Sequence, residues 1–217
     1  VFTITRQAGE GWDRSAGGDK GFNLTADEQR LLERVSDKFH KEGKKVIVVI
    51  NSGSVINTSS WKGLVDGILL AWQPGEEAGH CVADIVTGKV NPSGKLPMTW
   101  PNDLMDHPSS KQFPTTAPDN DKVCRYKEGI NVGYRYFETA GKAVSYPFGY
   151  GLSYTTFSYR DLKVKASGKG FTAQVTVINT GRVAGKEAVQ LYVTAPKGSI
   201  EKPAIELKAF GKTRLLQ

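Results

Sequence analysis

Near the start of the chain one carboxylate stands between two glycines, in Gly9-Glu10-Gly11, and the run continues as Trp12-Asp13-Arg14. Glycine on both sides lets the backbone take angles closed to other residues and come close to a ligand. A ring two positions on, Trp12, can stack on a sugar or wall a dry pocket. A dry pocket raises a carboxyl pKa, which a general acid working near neutral pH requires. Glu10 is therefore the candidate catalytic residue and Trp12 the candidate substrate contact. Taken from the residues alone, the same run also fits a plain surface turn. Asp13 beside Arg14 reads as an ion pair that fixes the loop.

Other chemistries find less support. Gly88-Lys89-Val90-Asn91-Pro92-Ser93-Gly94-Lys95 has the look of a phosphate loop, but it is one residue too long and Leu96 stands where Ser or Thr is required. There is no His-Glu-x-x-His, and His40, His80 and His107 are isolated in sequence, so no metal ligand set is read. No G-x-S-x-G elbow is present, which removes the usual serine-hydrolase reading. Cys81 and Cys124 are too few for a disulfide scaffold or a four-cysteine zinc site. They are expected to be buried thiols rather than a bridge, Cys81 because it falls on the apolar stripe of a predicted helix. Asn23-Leu24-Thr25 and Asn57-Thr58-Ser59 match the glycosylation sequon, a pattern common by chance.

The elements that would position Glu10 alternate. Val1 to Thr5 reads as a strand, or the end of one, and a glycine-rich loop runs from it to Leu24. Thr25-Ala26-Asp27-Glu28 is a capping box, followed by Leu31, Leu32, Val35 and Phe39 at helical spacing and Gly43 as a stop. Val46 to Ile50 is an unbroken β-branched run, the pattern of a parallel strand covered on both faces. Asp66 to Trp72 reads as a second buried strand. It enters the turn Gln73-Pro74-Gly75, then a helix with Ala78, Cys81, Val82, Ile85 and Val86 on one face and Gly88 at its end. Such alternation predicts an α/β layer with a mostly parallel sheet. From Asn91 to Pro147 the texture changes: seven of the ten prolines fall there, interleaved with aromatics. That is the composition of a long connector ordered by packing. From about Tyr154 short alternating segments predict strands: Phe171–Ile178, Ala188–Thr194 and Leu207–Leu215. They suggest a β-sandwich that runs out before its usual length of roughly 100 residues.

Composition bounds the rest. The chain has 217 residues and a formal charge of +7. Residues 151–217 hold 11 basic against 4 acidic residues, whereas residues 1–150 balance 18 against 18. Lys163, Lys165 and Lys169 are spread along strand-like sequence without aromatics, so they read as solvated faces rather than as a nucleic-acid site. No stretch approaches the roughly 20 apolar residues of a membrane span, and the residues after Val1 lack the basic start and apolar core of a signal peptide. Periplasmic, secreted and cytoplasmic locations all stay open, as does homodimerisation.

Several blocks together resemble glycoside hydrolase family 3. They are Ala8-Gly9-Glu10-Gly11-Trp12-Asp13-Arg14 with Phe22-Asn23-Leu24, then Ile68 to Gly79, then Gly88 to Pro97, Tyr126 to Phe137, and Tyr146 to Phe157. Asn179-Thr180-Gly181 through Gln190-Leu191-Tyr192-Val193 is similar to the family's fibronectin type III-like domain. The resemblance implies a partial α/β sandwich over 1–105, an ordered linker over 106–150, and the first part of a fibronectin type III-like sandwich over 151–217. It implies a retaining β-glycosidase, most often a β-glucosidase, acting on a β-glucoside or oligosaccharide without a cofactor. It assigns the general acid/base role to Glu10 and places the nucleophile, an Asp, on a TIM-like barrel that is not in these residues. A barrel domain or chain is thus the implied partner, and the chain alone is expected to be inactive. A fragment, a nicked chain and a split or permuted enzyme are the origins this leaves, the sandwich's short length favouring the first two. A non-catalytic carbohydrate-binding or scaffolding module of the same fold is the alternative.

Overall fold

A computed structural model describes residues 1–11, 14–15, 21–111 and 126–217. Three strands, β1 (Phe2–Arg6), β2 (Ile47–Ser52) and β3 (Gly67–Leu70), form a parallel sheet in the order β1-β2-β3. The register pairs Ile4 with Ile50 and Arg6 with Ser52, and on the other side of β2 it pairs Ile50 with Leu70. β2 is the central strand, and Val48, Val49 and Ile50 are buried, as an apolar parallel strand covered on both faces should be. β3 was expected to be buried as well. Its four residues are only half-buried, because it lies at the margin of the described sheet.

Helix α1 (Ala26–Lys41) covers one face of this sheet and begins where the sequence places it. Thr25 Oγ1 accepts from the Glu28 amide at 3.1 Å, and the Thr25 amide donates to the Glu28 carboxylate at 2.8 Å. Asp27 and Glu28 lie in the first turn and Lys38, His40 and Lys41 in the last, so charge at both ends suits the helix dipole. Leu32 of α1 is fully buried and joins Ile4, Val48, Ile50, Ile56, Trp61 and Trp100 in one apolar cluster. Asp66 ties the far end of the layer. It accepts from Lys45 Nζ, the Val46 amide and His40 Nε2, each at 2.8 Å. The Lys45 bond, with the amide and His40 behind it, holds the Asp66 carboxyl well below its usual value.

Helix α2 (Ala78–Val86) follows β3. It corrects the expectation for Cys81, which is a free and exposed thiol. The helix turns Val82, Ile85 and Val86 inward but leaves them only half-buried, and Cys81 sits on the flank of that stripe. Cys124 lies outside the described residues.

The connector contains a short pairing, β4 (Trp100–Pro101) with β5 (Val144–Tyr146), and helix α3 (Tyr134–Thr139). Two antiparallel pairs follow: β6 (Phe157–Ser167) with β7 (Gly170–Asn179), and β8 (Ala188–Val193) with β9 (Glu206–Lys212). The connector aromatics act as anchors. Tyr134 stacks on Phe148 at 4.6 Å, meets Tyr192 of β8 edge-on, and accepts from the Leu207 amide of β9 at 2.7 Å. The run that looked like a phosphate loop has a structural use. The Leu96 amide donates to Tyr150 O and the Gly149 amide to Leu96 O, both at 2.8 Å. Lys95 Nζ donates to Gly151 O at 2.6 Å and pairs with Glu187 at 3.3 Å. Asn91 donates to Ala184 O and accepts from Ser153 Oγ and the Tyr154 amide. Side chains and backbone of 91–97 thus fasten the sandwich strands to the α/β layer.

Candidate active site

Parallel strands share one direction, so their carboxyl ends lie on one edge of the sheet. In open α/β sheets that edge is where ligands bind. Here β1 leads from Arg6 into Gly9-Glu10-Gly11, β2 leads from Ser52 into Gly53-Ser54-Val55, and β3 leads into Trp72-Gln73-Pro74. The three exits touch one another. Arg14 donates to Ser54 Oγ at 2.6 Å and to Val55 O. A Cβ at Gly53 would lie 3.1 Å from the Gln73 amide group, so these two exits pass close to one another. Trp72 takes a left-handed backbone (φ +53) and sets its ring edge-on to buried Trp100 at 6.4 Å. A bulky residue in that conformation is strained, and such strain clusters at functional sites.

Glu10 stands on this edge, exposed to solvent, with Gly11 after it at φ +80. The glycine next to the carboxylate is therefore used for its conformation, as the sequence suggested. Trp12 and Asp13 lie outside the described residues, so both the stacking role of Trp12 and the Asp13–Arg14 ion pair fall there too.

The sequence reading passed over Arg6. Its side chain is buried, and its guanidinium spends every donor. Nε donates to Gly21 O at 3.2 Å, Nη1 to Thr5 O and Glu28 Oε1 at 2.8 Å each, and Nη2 to Asn23 O at 3.2 Å and Glu28 Oε2 at 2.6 Å. One planar group thus joins the end of β1, the return of the Glu10 segment and the first turn of α1. Burial by itself would raise the Glu28 carboxyl. The Arg6 bonds, with the Thr25 amide and the Arg6 charge, outweigh burial and hold it below its usual value. The available signal was a single cation closing an otherwise apolar alternating strand, Phe2-Thr3-Ile4-Thr5-Arg6. Beyond Arg6, the Phe22 amide donates to Ser15 O at 2.9 Å and the Asn57 amide to Phe22 O at 2.7 Å. The two sequon asparagines also meet, Asn57 Nδ2 donating to Asn23 Oδ1 at 2.8 Å.

Two hollows, of about 410 and 520 Å³, lie beside and within the sandwich strands and share no residue with the Glu10 edge. The first is walled by Tyr134, Phe148, Tyr159 and Tyr192, and its polar groups are engaged with one another: Tyr159 donates to Glu187 at 2.9 Å and Tyr192 to Gln190 at 2.6 Å. Among the described residues no group of three His, Cys, Asp or Glu side chains stands ready for a metal ion, and no helix is long and apolar enough to cross a membrane.

Residues 1–154 match the family model for the glycosyl hydrolase family 3 C-terminal domain. The chain belongs to glycoside hydrolase family 3. Residues 187–217 match the fibronectin type III-like domain that accompanies it, which agrees with the antiparallel pairing of β8 and β9. Beta-glucosidase A of Butyrivibrio fibrisolvens is 42% identical across all of this chain, which spans 30% of that protein. An exo-alpha-(1->6)-L-arabinopyranosidase of Bifidobacterium longum is 40% identical over 95% of the chain and 26% of its own length. Among solved structures, beta-glucosidase 3B of Thermotoga neapolitana in complex with alpha-D-glucose superposes with a TM-score of 0.94. It is 53% identical over 99% of the chain and 30% of its own. This family 3 chain thus spans under a third of the length of these relatives.

Proposed function

We propose that this chain supplies the general acid/base of a retaining β-glycosidase, a β-glucosidase being the reading its relatives favour. The observation that carries the proposal is the placement of Glu10. It is a carboxylate on a glycine-set segment at the carboxyl edge of the parallel sheet, where the three strand exits converge. In the proposed reaction a carboxylate of a barrel domain or partner chain attacks the anomeric carbon. The bond to the leaving oxygen breaks, and that oxygen takes the Glu10 proton. Water then attacks the glycosyl-enzyme ester while the Glu10 carboxylate removes its proton, and the sugar leaves with its configuration retained. The two carboxyl groups must stand about 5–5.5 Å apart for this. Two carboxyl groups suffice for the chemistry, so no cofactor is called for.

Exposure of Glu10 supports the need for a partner. A general acid near neutral pH works in a dry site, and the covering surface has to come from elsewhere. The isolated 217-residue chain is therefore expected to show no turnover of aryl β-glucosides. The test is a chimera in which this chain replaces the segment it matches in the Thermotoga neapolitana enzyme. The chimera is expected to hydrolyse 4-nitrophenyl β-glucoside and to lose about 10²–10⁴-fold in kcat on Glu10→Gln. Activity within twofold of the parent chimera in that variant refutes the reading. Tight binding of glucose or cellobiose by the chain alone, with Glu10→Gln harmless in the chimera, would instead favour a non-catalytic carbohydrate-binding module. Running 4-nitrophenyl α-L-arabinopyranoside alongside addresses the sugar, since one relative bears that activity in its name.

A further inference from the structure

We propose that Arg6, clamped by Glu28, is a positioning residue that fixes the reach of the Glu10 carboxyl. The inference rests on the acid/base reading of Glu10. Glu10 itself stands on a segment that leaves the sheet at Arg6 and returns at Gly21. The Arg6 side chain bonds both sides of that departure, through Thr5 O on one side and Gly21 O and Asn23 O on the other. Its two remaining donors go to the two oxygens of Glu28. Glu28 is in turn locked by the Thr25 amide as part of the helix cap. The stem of the Glu10 segment is thereby referred to a rigid helix rather than to solvent.

The guanidinium is not replaceable by another cation here. Arginine offers five donors in a fixed plane, and lysine three on one freely turning nitrogen. Lysine at position 6 keeps the charge beside Glu28 but cannot reach Thr5 O, Gly21 O and Asn23 O at once. Arg6 is not one of the apolar residues of the core cluster, so Leu32, Ile4, Val48 and Ile50 are expected to stay packed. The expected result is a folded protein whose acid is misplaced, and a displacement of the order of 1 Å costs about 10²-fold in rate.

The dependence on the leaving group separates that outcome from general damage. In the chimera, Arg6→Lys is expected to lower kcat/KM about 10–100-fold for an alkyl β-glucoside, whose leaving oxygen must be protonated. The loss should be below about threefold for 2,4-dinitrophenyl β-glucoside, whose leaving group needs no acid. Glu28→Gln is expected to act in the same sense but more weakly. An equal loss on both substrates, or no loss, overturns the inference while leaving Glu10 standing, provided Glu10→Gln is itself selective. If Glu10→Gln is not selective, both readings fall. A second measurement on the 217-residue chain needs no activity. Amide exchange at Phe22 and Asn57, whose hydrogen bonds anchor the returning segment, should quicken at least about tenfold in Arg6→Lys while Val49 and Ile50 stay protected. Unchanged exchange at Phe22 and Asn57 also overturns the clamp.

Discussion

Two glycines with nearly the same backbone angle allow the cost of conformation to be separated from the cost of crowding. Gly88, after α2, has φ +76 and open space for 4 Å around the point where a Cβ would stand, whereas Gly149, at the seam with the sandwich, has φ +79 against Gln190 and Tyr192. Alanine at either site must adopt a left-handed backbone, at about 1–2 kcal/mol. A stiffer unfolded chain returns about 0.4–1 kcal/mol of that, so Gly88→Ala should destabilise by about 1 kcal/mol. At Gly149 the new methyl group also overlaps Gln190 Oε1 and comes to 2.9 Å from Tyr192 Oη. The Gln190 amide must then swing away. That breaks its 3.0 Å bond to Gly149 O and the 2.6 Å bond it accepts from Tyr192. Two neutral hydrogen bonds at about 1 kcal/mol each bring Gly149→Ala to about 3 kcal/mol. Urea unfolding of the chain should show the two variants separated by about 2 kcal/mol at equal slope, or roughly 4–8 °C in Tm. Stabilities that agree within about 0.5 kcal/mol would refute the seam argument, because only crowding distinguishes the sites.

The neighbouring leucines of α1 make a second contrast: Leu32 is 0% exposed and Leu31 50%. Leu32→Ala should cost about 3–4 kcal/mol in urea unfolding, within the range for buried leucines, and Leu31→Ala less than about 0.5 kcal/mol. Burial pushes the His107 imidazole below its usual value, against a smaller upward pull from Asp106. Its contribution is thus whole above about pH 6.5 and is lost as pH falls below that, where the unfolded chain takes up the proton first; His107→Gln should flatten the stability slope between about pH 7.5 and 5.5, and an unchanged slope would count against the assignment. Cys81 should react with a maleimide in the native chain before unfolding begins, and Cys81→Ser should remove that fast phase. A native chain that labels only in denaturant would contradict its exposure.

The α/β layer was legible because its signals are local. Thr25 to Glu28 carries its cap in four residues, the Val46–Ile50 run has one sensible home, and Gly43 and Gly88 mark stops that the backbone uses at φ +68 and +76. The turn after Glu10 was legible for a similar reason, since the glycine that follows announces an unusual backbone and Gly11 takes φ +80. Cys81 was misjudged because helical periodicity gives the direction of a side chain but not whether anything lies opposite, and α2 has little against its face. Arg6 was invisible for the converse reason. Its five partners, Thr5, Gly21, Asn23 and both oxygens of Glu28, are separated from it in sequence by up to 22 residues, and only the folded parallel topology brings them to one guanidinium. Blocks 88–97 and 146–157 were noticed as patterns. Their reason, backbone bonds between Leu96, Gly149 and Tyr150, could not be read until both were in place.

The position of Glu10 and the construction beneath it are in tension, and the tension is informative. A surface carboxylate on a glycine turn needs no buried arginine with five bonds under its stem and no strained tryptophan at the end of the parallel strand β3. Burying a guanidinium is costly unless every donor is matched, and a protein that merely required a loop there could end β1 with a threonine or serine. The rigid features all lie on the carboxyl edge of the sheet, whereas the carboxylate they surround faces solvent. Rigidity under an exposed group has little use for stability, because the group contributes no packing. It has use when a second surface must meet that group at fixed distance, as two carboxyl groups must across an anomeric carbon. A fixed edge beneath an exposed carboxylate is what the acid/base role proposed for Glu10 requires, a half-site that a second surface closes.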